Sequence, residues 1–288
     1  MMPTVLLEAE KKEKVIAKPE PFLKWAGGKS QLLKQFEPFL PSKFNNYIEP
    51  FVGAGSVFFY LYNTGRLKGK KIILIDSNEE LINCFLVIKE NVERLISILK
   101  GPRYVNKKEV YYRIREEEPK DKFERAARTI YLNKTCFNGL YRVNSKGKFN
   151  VPFGKYKAPL ICNSRNLRAV SIALKNVKIL CDDFEKCLEY TTKGDFIYFD
   201  PPYQPLSKTS NFTGYTKNGF GEAEQRRLYC AFRELDKRGC KVILSNSNTD
   251  FIKKLYRKYR IERVKANRAI NCKAEGRGKI EELVILNY

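Results

Sequence analysis

The stretch Phe196-Ile197-Tyr198-Phe199-Asp200-Pro201-Pro202-Tyr203 decides how this chain folds. It opens with a continuous apolar run, which is typical of a strand buried on both faces of a sheet. Similar runs occur at 47–52, 71–76, 177–182, 241–246, 260–265 and 282–287. Helical patterns at 29–40, 56–62, 78–89, 165–174 and 222–237 separate most of them. We therefore predict a doubly wound α/β sheet of seven strands, the last two forming an antiparallel pair at the edge.

One stretch interrupts this alternation of strands and helices. Residues 90–164 contain two helical patterns, 107–118 and 122–133, followed by a segment rich in Gly, Asn, Lys and aromatic residues. In that segment, 144–148 reads as a hairpin-like turn between 141–143 and 149–151. We predict an N-terminal extension (1–20), a main domain formed by 21–89 and 165–288, and an inserted domain (90–164).

The charge of the chain favours a polyanionic partner. Its 288 residues include 55 Lys or Arg and 32 Asp or Glu, which gives a net charge of +23. Basic surfaces bind nucleic acid because each phosphate contact releases counterions. A generally basic proteome is the alternative explanation. An acidic membrane surface fits less well, since no stretch combines a basic face with a clear apolar face.

Residue types and hydropathy limit which catalytic groups the chain can use and where in the cell we expect it. The chain has no histidine, so Ser-His and Cys-His catalytic pairs are excluded. None of the eight cysteines is spaced C-x2-C, which favours buried, reduced thiols over a metal site. We find no apolar run long enough to span a bilayer and no signal-peptide core. We therefore expect a cytoplasmic protein that uses neither a metal nor a membrane.

A glycine turn follows the first predicted strand. Phe51-Val52-Gly53-Ala54-Gly55 leads into a helix, as in turns where the backbone approaches a nucleotide closely. Phe58 replaces the third glycine of the dinucleotide fingerprint, which fits a ligand without a pyrophosphate, such as S-adenosylmethionine. A plain tight turn is the alternative. We count Glu49 and Phe51, at the end of this strand, among the candidate cofactor-binding residues.

Acidic residues also follow the second and third predicted strands. Asp76 is placed to accept hydrogen bonds from ribose hydroxyls, or to cap the helix that follows. Asp183-Phe184 would bind a cofactor adenine through a carboxylate and an aromatic face, or would simply cap a turn. Near the N-terminus, 27–30 resembles the end of a P-loop. Leu23 stands where that motif requires glycine, which argues against NTP binding.

The motif Asp200-Pro201-Pro202-Tyr203 suits methylation of an exocyclic amine. The amine lone pair of adenine is delocalised into the ring, and two hydrogen-bond acceptors would localise it. The Asp200 carboxylate and the Pro201 carbonyl can accept the two N–H bonds, and proline rigidity fixes that carbonyl. Tyr203 can stack on the target base. A strand that ends in a Pro-Pro turn with a capping aspartate is the alternative.

Together these motifs resemble the Dam family of adenine-N6 DNA methyltransferases. The order of glycine turn, insert and Asp-Pro-Pro-Tyr is that of its α group, which includes the GATC methylases of DpnII-type restriction-modification systems. The resemblance extends from 22–29 to 281–288. It implies a Rossmann-like seven-stranded S-adenosylmethionine-dependent sheet with an inserted, mainly helical target-recognition domain bearing a β-hairpin. It also implies methylation of adenine N6 in GATC of double-stranded DNA, with the base flipped out. A cognate GATC restriction endonuclease, acting separately, is a further implied partner.

The resemblance assigns roles to individual residues. Phe137 would wedge into the duplex, Arg142 would read guanine, and Pro152 would meet a thymine methyl group. Phenylalanine at 137, where some relatives have tyrosine, keeps the wedge but lacks the hydroxyl. The loop 204–219 would close over the flipped base, although a plain surface loop is the alternative. The implied S-adenosylmethionine site consists of Trp25, Lys29, Asp76 and Asp200, with Asp183 as a further candidate. The remaining DNA-binding candidates are Lys24, Asn138, Leu140, Asn144 and Tyr215.

Two other functions compete with this interpretation. An RNA adenine or protein amide methylase would more often carry asparagine at the position of Asp200, and would have no need of the 138–156 hairpin. A DNA-binding module without catalysis is the second alternative. The intact Asp200, Tyr203 and Gly53-Ala54-Gly55 argue against it.

Overall fold

A computed structural model describes residues 17–25, 29, 32–204, 220–267 and 279–288. Its centre is a seven-stranded sheet in the order β3-β2-β1-β4-β5-β7-β6. Strands β1 to β5 are parallel, and β7 runs antiparallel to both β5 and β6. The predicted α/β sheet and its antiparallel closing pair are confirmed. The strands are β1 (Tyr47–Glu49), β2 (Ile72–Asp76), β3 (Val177–Cys181), β4 (Phe196–Phe199), β5 (Lys241–Ser247), β6 (Arg260–Asn267) and β7 (Lys279–Leu286).

Six helices accompany this sheet in the described part of the chain. They are α1 (Leu33–Phe36), α2 (Ser56–Asn63), α3 (Glu79–Lys100), α6 (Ser164–Leu174), α7 (Glu222–Lys237) and α8 (Asp250–Leu255). The predicted helix 29–40 is largely wrong: α1 is a single turn followed by a 3-10 turn with proline at its start, where the missing N–H prevents continuation. The short α8 was not predicted. No described helix is both long and apolar enough to cross a membrane.

The region 90–164 adds two more helices and a hairpin. Its helices are α4 (Lys108–Glu116) and α5 (Lys122–Thr135), close to the predicted patterns. Helix α3 runs on past residue 90 and is kinked at Asn91. The predicted hairpin forms: Val143 pairs with Phe149, and the Asn144 N–H donates to the Lys148 carbonyl at 2.9 Å. A 3-10 turn (Phe137–Gly139) connects α5 to this hairpin.

Apolar layers cover both faces of the sheet. Alternate residues of a strand point to opposite faces, so Tyr47 and Ile48 belong to different layers. One layer includes α3 and α6, and the other includes α7. The carboxyl ends of the parallel strands β1, β2 and β4 meet at one edge. In open α/β sheets this edge is where ligands bind.

Candidate active site

Asp200 follows β4 directly, at the carboxyl edge of the sheet. Its Oδ1 atom lies 2.8 Å from Nζ of Lys29, and the two side chains are 19% and 2% exposed. Burial raises the pKa of Asp200 to about 6, and the charge and hydrogen bond of Lys29 oppose that rise. At neutral pH the strand therefore presents an ionised and partly desolvated carboxylate.

Tyr203 is held by a residue that the sequence motifs did not single out. Its hydroxyl donates a hydrogen bond to Oε2 of Glu282 at 2.8 Å, and Nζ of Lys29 lies 4.7 Å from the centre of its ring. Glu282 Oε2 is also 3.9 Å from Lys29 Nζ. Lys29, Asp200, Tyr203 and Glu282 thus form one polar network, in which burial raises the pKa of Tyr203 and keeps its hydroxyl protonated.

Buried amides fasten the Pro-Pro turn to the sheet. Nε2 of Gln225, on α7, donates to the Pro202 carbonyl at 3.1 Å. Nδ2 of Asn246, on β5, donates to Oε1 of Gln225 at 3.0 Å. Ser247 Oγ donates to the Gln204 carbonyl at 2.7 Å. These hydrogen bonds fix the backbone on both sides of Tyr203, and sequence reasoning missed all three supporting residues.

The glycine turn and Asp76 are joined directly. The N–H of Gly53 donates to Oδ2 of Asp76 at 3.0 Å, and the N–H of Asn78 donates to Oδ1 at 3.0 Å. Gly53 and Gly55 both have left-handed backbones, with φ of 48° and 74°. The N-cap of α3 is Asn78, whose side chain accepts from the Leu81 N–H. The alternative that Asp76 itself caps this helix is wrong.

Trp25 and Glu49 lie beside this turn. A Cβ atom at position 53 would be 3.1 Å from Cδ1 of Trp25, so the indole packs on the bare face of Gly53. Glu49 is buried at the end of β1, where its Oε2 accepts a hydrogen bond from the Tyr47 hydroxyl at 2.8 Å. Burial raises the pKa of Glu49 well above its usual value.

The Asp183-Phe184 pair lies further along the same edge, after β3. Oδ1 of Asp183 accepts from the Glu185 N–H and from Arg227, both at 3.0 Å, so it caps the turn that follows. Phe184 is only 3% exposed and stacks on Phe51, with ring centres 5.3 Å apart. Capping, the second of the two predicted roles, is therefore observed, and adenine binding stays a prediction.

The hairpin presents its candidate readers on the surface. Phe137 is 50% exposed, and Arg142 and Pro152 are exposed. Nε of Arg142 donates to Oδ1 of Asn150 at 2.7 Å, which orients the guanidinium along the hairpin. Oδ1 of Asn144 accepts the N–H groups of the turn residues 146 and 148, both at 3.0 Å. Asn144 thus has a structural role in the turn.

The remaining candidates surround the base of the hairpin. Lys24 is exposed, with Nζ 5.2 Å from the centre of the Tyr156 ring. Asn138 is exposed with a left-handed backbone, φ 56°, and Leu140 is half-buried. Tyr215, with the loop 205–219, lies outside the described residues. Within the described ranges, no group of three or more Cys, Asp or Glu residues could hold a metal ion.

Comparison with known proteins gives a consistent result over most of the chain. The family model described as D12 class N6 adenine-specific DNA methyltransferase matches residues 25–270. Type II methyltransferase M.MjaIII of Methanocaldococcus jannaschii is 51% identical, over 93% of this chain and 99% of its own. Type II methyltransferase M1.LlaDCHI of Lactococcus lactis is 43% identical, over 93% of this chain and 95% of its own. A DNA adenine methylase of Haemophilus influenzae is 39% identical, over 93% of this chain and 94% of its own.

Proposed function

The chain belongs to the D12 class of N6 adenine-specific DNA methyltransferases, and we propose that its target is adenine within GATC in double-stranded DNA. We further propose that S-adenosylmethionine is the methyl donor and that the target base is flipped out of the duplex. The observation that carries the chemistry is the placement of Asp200, an ionised carboxylate at the carboxyl edge of the sheet beside Tyr203. Membership of this class favours DNA over the RNA adenine and protein amide substrates.

The residues around the glycine turn fit S-adenosylmethionine. The bare backbone of Gly53 and the carboxylate of Asp76 suit close contact with a ribose, and Trp25 supplies an apolar wall. Lys29 brings a positive charge for the carboxylate of the ligand and the ionised Asp200 brings a negative charge for its ammonium group, while Glu49 offers a buried carboxyl group as a hydrogen-bond partner. Phe51, Gly55, Asp183 and Phe184 complete the proposed site. When bound, this cofactor supplies a methyl group that is already activated on a sulfonium.

Asp200 and Pro201 prepare the amine in this proposal. The ionised Asp200 accepts one N–H of adenine and the Pro201 carbonyl accepts the other, so the nitrogen lone pair becomes available. The ring of Tyr203 stacks on the base, with its hydroxyl anchored by Glu282. Hydrogen bonds from Gln225 to the Pro202 carbonyl and from Ser247 to the Gln204 carbonyl hold the backbone of this motif in place. We expect positioning of the amine to account for most of the rate enhancement.

The insert 90–164 is the proposed target-recognition domain. Arg142 reads guanine with a guanidinium aligned by Asn150, and Pro152 meets a thymine methyl group. The exposed ring of Phe137 fills the space left by the flipped base, which offsets part of the unstacking cost. The net charge of +23 supports binding to the phosphate backbone. Lys24, Asn138, Leu140, Asn144 and Tyr215 are proposed as further DNA contacts.

Expression in a host that lacks adenine methylation tests the proposal. We expect sequencing of the host DNA to show N6-methyladenine in GATC, and GATC sites to resist a nuclease that cuts only unmethylated GATC. The Asp200→Ala variant, produced at the same level, is the control and should leave the DNA unmodified. Methylation confined to another sequence would refute the GATC assignment, and methylation by the variant would refute the role of Asp200.

A further inference from the structure

A chain of aromatic rings connects the glycine turn to the hairpin. The indole of Trp25 packs on Gly53 and stacks on the ring of Tyr141, with ring centres 4.9 Å apart and an angle of 30° between the planes. Tyr141, on the first arm of the hairpin, in turn meets Phe149 on the second arm at 5.8 Å, edge to face. Packed contacts therefore run without a break from the proposed cofactor site to the proposed DNA reader.

Tyr141 also lies near the end of β2, the second part of the proposed cofactor site. Burial raises the pKa of Tyr141 to about 12, and the nearby side chain of Asn78 opposes this shift. Asn78 also donates its N–H to Oδ1 of Asp76. Tyr141 thus stacks on the residue that packs on Gly53 and lies near Asn78, the residue bonded to Asp76.

The same pair of rings lies next to the guanine reader. Arg142 follows Tyr141 in the chain, and Asn150 follows Phe149. The guanidinium of Arg142 donates to the Asn150 side chain at 2.7 Å and to the Asn150 carbonyl at 3.3 Å. A shift of Tyr141 against Phe149 would therefore change where the guanidinium points.

A second connection fixes the segment that carries Trp25 to the base of the hairpin. Asn133 on α5 is 1% exposed, and it accepts from the Lys24 N–H and donates to the Lys24 and Gly139 carbonyls at 2.8 to 3.0 Å. The approach is close, because a Cβ atom at position 139 would lie 2.4 Å from Cδ of Lys24. Trp25 is therefore constrained to move with the start of the hairpin.

We propose that Tyr141 is a positioning residue that couples occupancy of the cofactor site to the reading of guanine by Arg142. This inference rests on the proposed function, because it assumes that the glycine turn holds the cofactor and that the hairpin reads DNA. A ligand in the glycine turn restrains Trp25, and the stack transmits that restraint to the hairpin through contiguous packed side chains. Since binding coupling is reciprocal, cognate DNA raises the affinity for cofactor by the same factor.

The single tryptophan of the chain makes this coupling measurable. Trp25 fluorescence follows binding of S-adenosylhomocysteine, an unreactive probe, to the full-length protein. Fluorescence anisotropy measures the affinity for a GATC duplex and for a duplex with the guanine replaced, each with and without the probe. We expect the probe to increase the preference for GATC about fivefold or more in the unmodified protein. Tyr141→Leu should abolish that increase, whereas Tyr141→Phe should keep most of it because the ring stack remains.

Further variants separate coupling from a loss of structure. Phe149→Leu, which breaks the other end of the stack, should also reduce the increase. Tyr190→Leu should not, because Tyr190 packs in the apolar layer on the other face of the sheet from the hairpin. Thermal unfolding identifies any variant that fails to fold. If Tyr141→Leu does not fold, the comparison of Tyr141→Phe with Phe149→Leu tests the coupling instead. A full increase in folded Tyr141→Leu or Phe149→Leu would overturn the proposal. If the unmodified protein does not prefer GATC at all, the GATC assignment fails, and the coupling is measured on the sequence that methylation mapping identifies.

Discussion

Nζ of Lys29 lies 2.8 Å from Oδ1 of Asp200, and both groups are largely removed from solvent. Burial would favour the neutral acid, and the neighbouring ammonium group favours the carboxylate. The balance leaves the pKa of Asp200 at about 6, which is high for an aspartate but still below neutrality. The proposed amine acceptor is therefore ionised under physiological conditions because of one buried lysine.

The first prediction concerns the pH dependence of methyl transfer. The ionised Asp200 accepts an amine N–H more strongly than the neutral acid does, so protonation on the acid side of a pKa of about 6 removes the more active form of the enzyme. We expect the single-turnover rate at saturating cofactor to fall about tenfold per pH unit below that value. Lys29→Gln removes the charge that favours the carboxylate, so its inflection should move to higher pH. Lys186→Gln, which breaks an exposed pair with Glu189, is the control and should leave the profile unchanged.

The second prediction concerns the hydrogen bond between Tyr203 and Glu282. Tyr203→Phe and Glu282→Leu each remove it, so their effects on kcat should overlap rather than add. We expect a coupling free energy of about 0.5–3 kcal/mol from the double-mutant cycle. Glu281, the preceding residue of β7, bonds to Asn248 instead and provides the matched control. A cycle of Tyr203→Phe with Glu281→Leu should be additive, and equal coupling in both cycles would contradict a specific role for Glu282.

The third prediction compares two glycines with similar backbones. Gly53 and Gly65 both have positive φ, 48° and 74°, so alanine at either position should cost about 1–2 kcal/mol of stability. A Cβ atom at 53 would also press on Trp25, whereas one at 65 would meet nothing within 4 Å among the described residues. Gly53→Ala should therefore weaken binding of S-adenosylhomocysteine and alter Trp25 fluorescence. Gly65→Ala should change only the thermal unfolding, and a similar loss of binding in both variants would refute the argument.

Much of the fold was predictable because local patterns determine it. The amphipathic period of α7 predicted both of its ends, and strand-like apolar runs located the seven strands, whereas their order in the sheet was not predicted. Site residues were predictable only where a short continuous motif contains them, as with Asp200 and Gly53. Glu282 looks like an ordinary residue of an edge strand, and only the insertion of β7 beside β5 brings it to Tyr203. The stack of Tyr141 on Trp25 likewise joins segments that are distant in sequence.

The fourth prediction concerns the guanidinium of Arg142 and the residue that holds it. Arg142→Ala removes the proposed bidentate contact, so discrimination between GATC and a duplex with the guanine replaced should fall by about 1–3 kcal/mol. Asn150→Ala keeps the arginine but removes the acceptor that lies 2.7 Å from its Nε, so discrimination should fall by less. Lys146→Ala, at the exposed tip of the same turn, is the control. We expect its exposed ammonium group to meet phosphate only, so its loss should weaken binding to both duplexes equally and lower the salt dependence of binding. Equal weakening on both duplexes by Arg142→Ala would instead make Arg142 a phosphate contact, and the reading of guanine would have to be assigned to another residue of the hairpin.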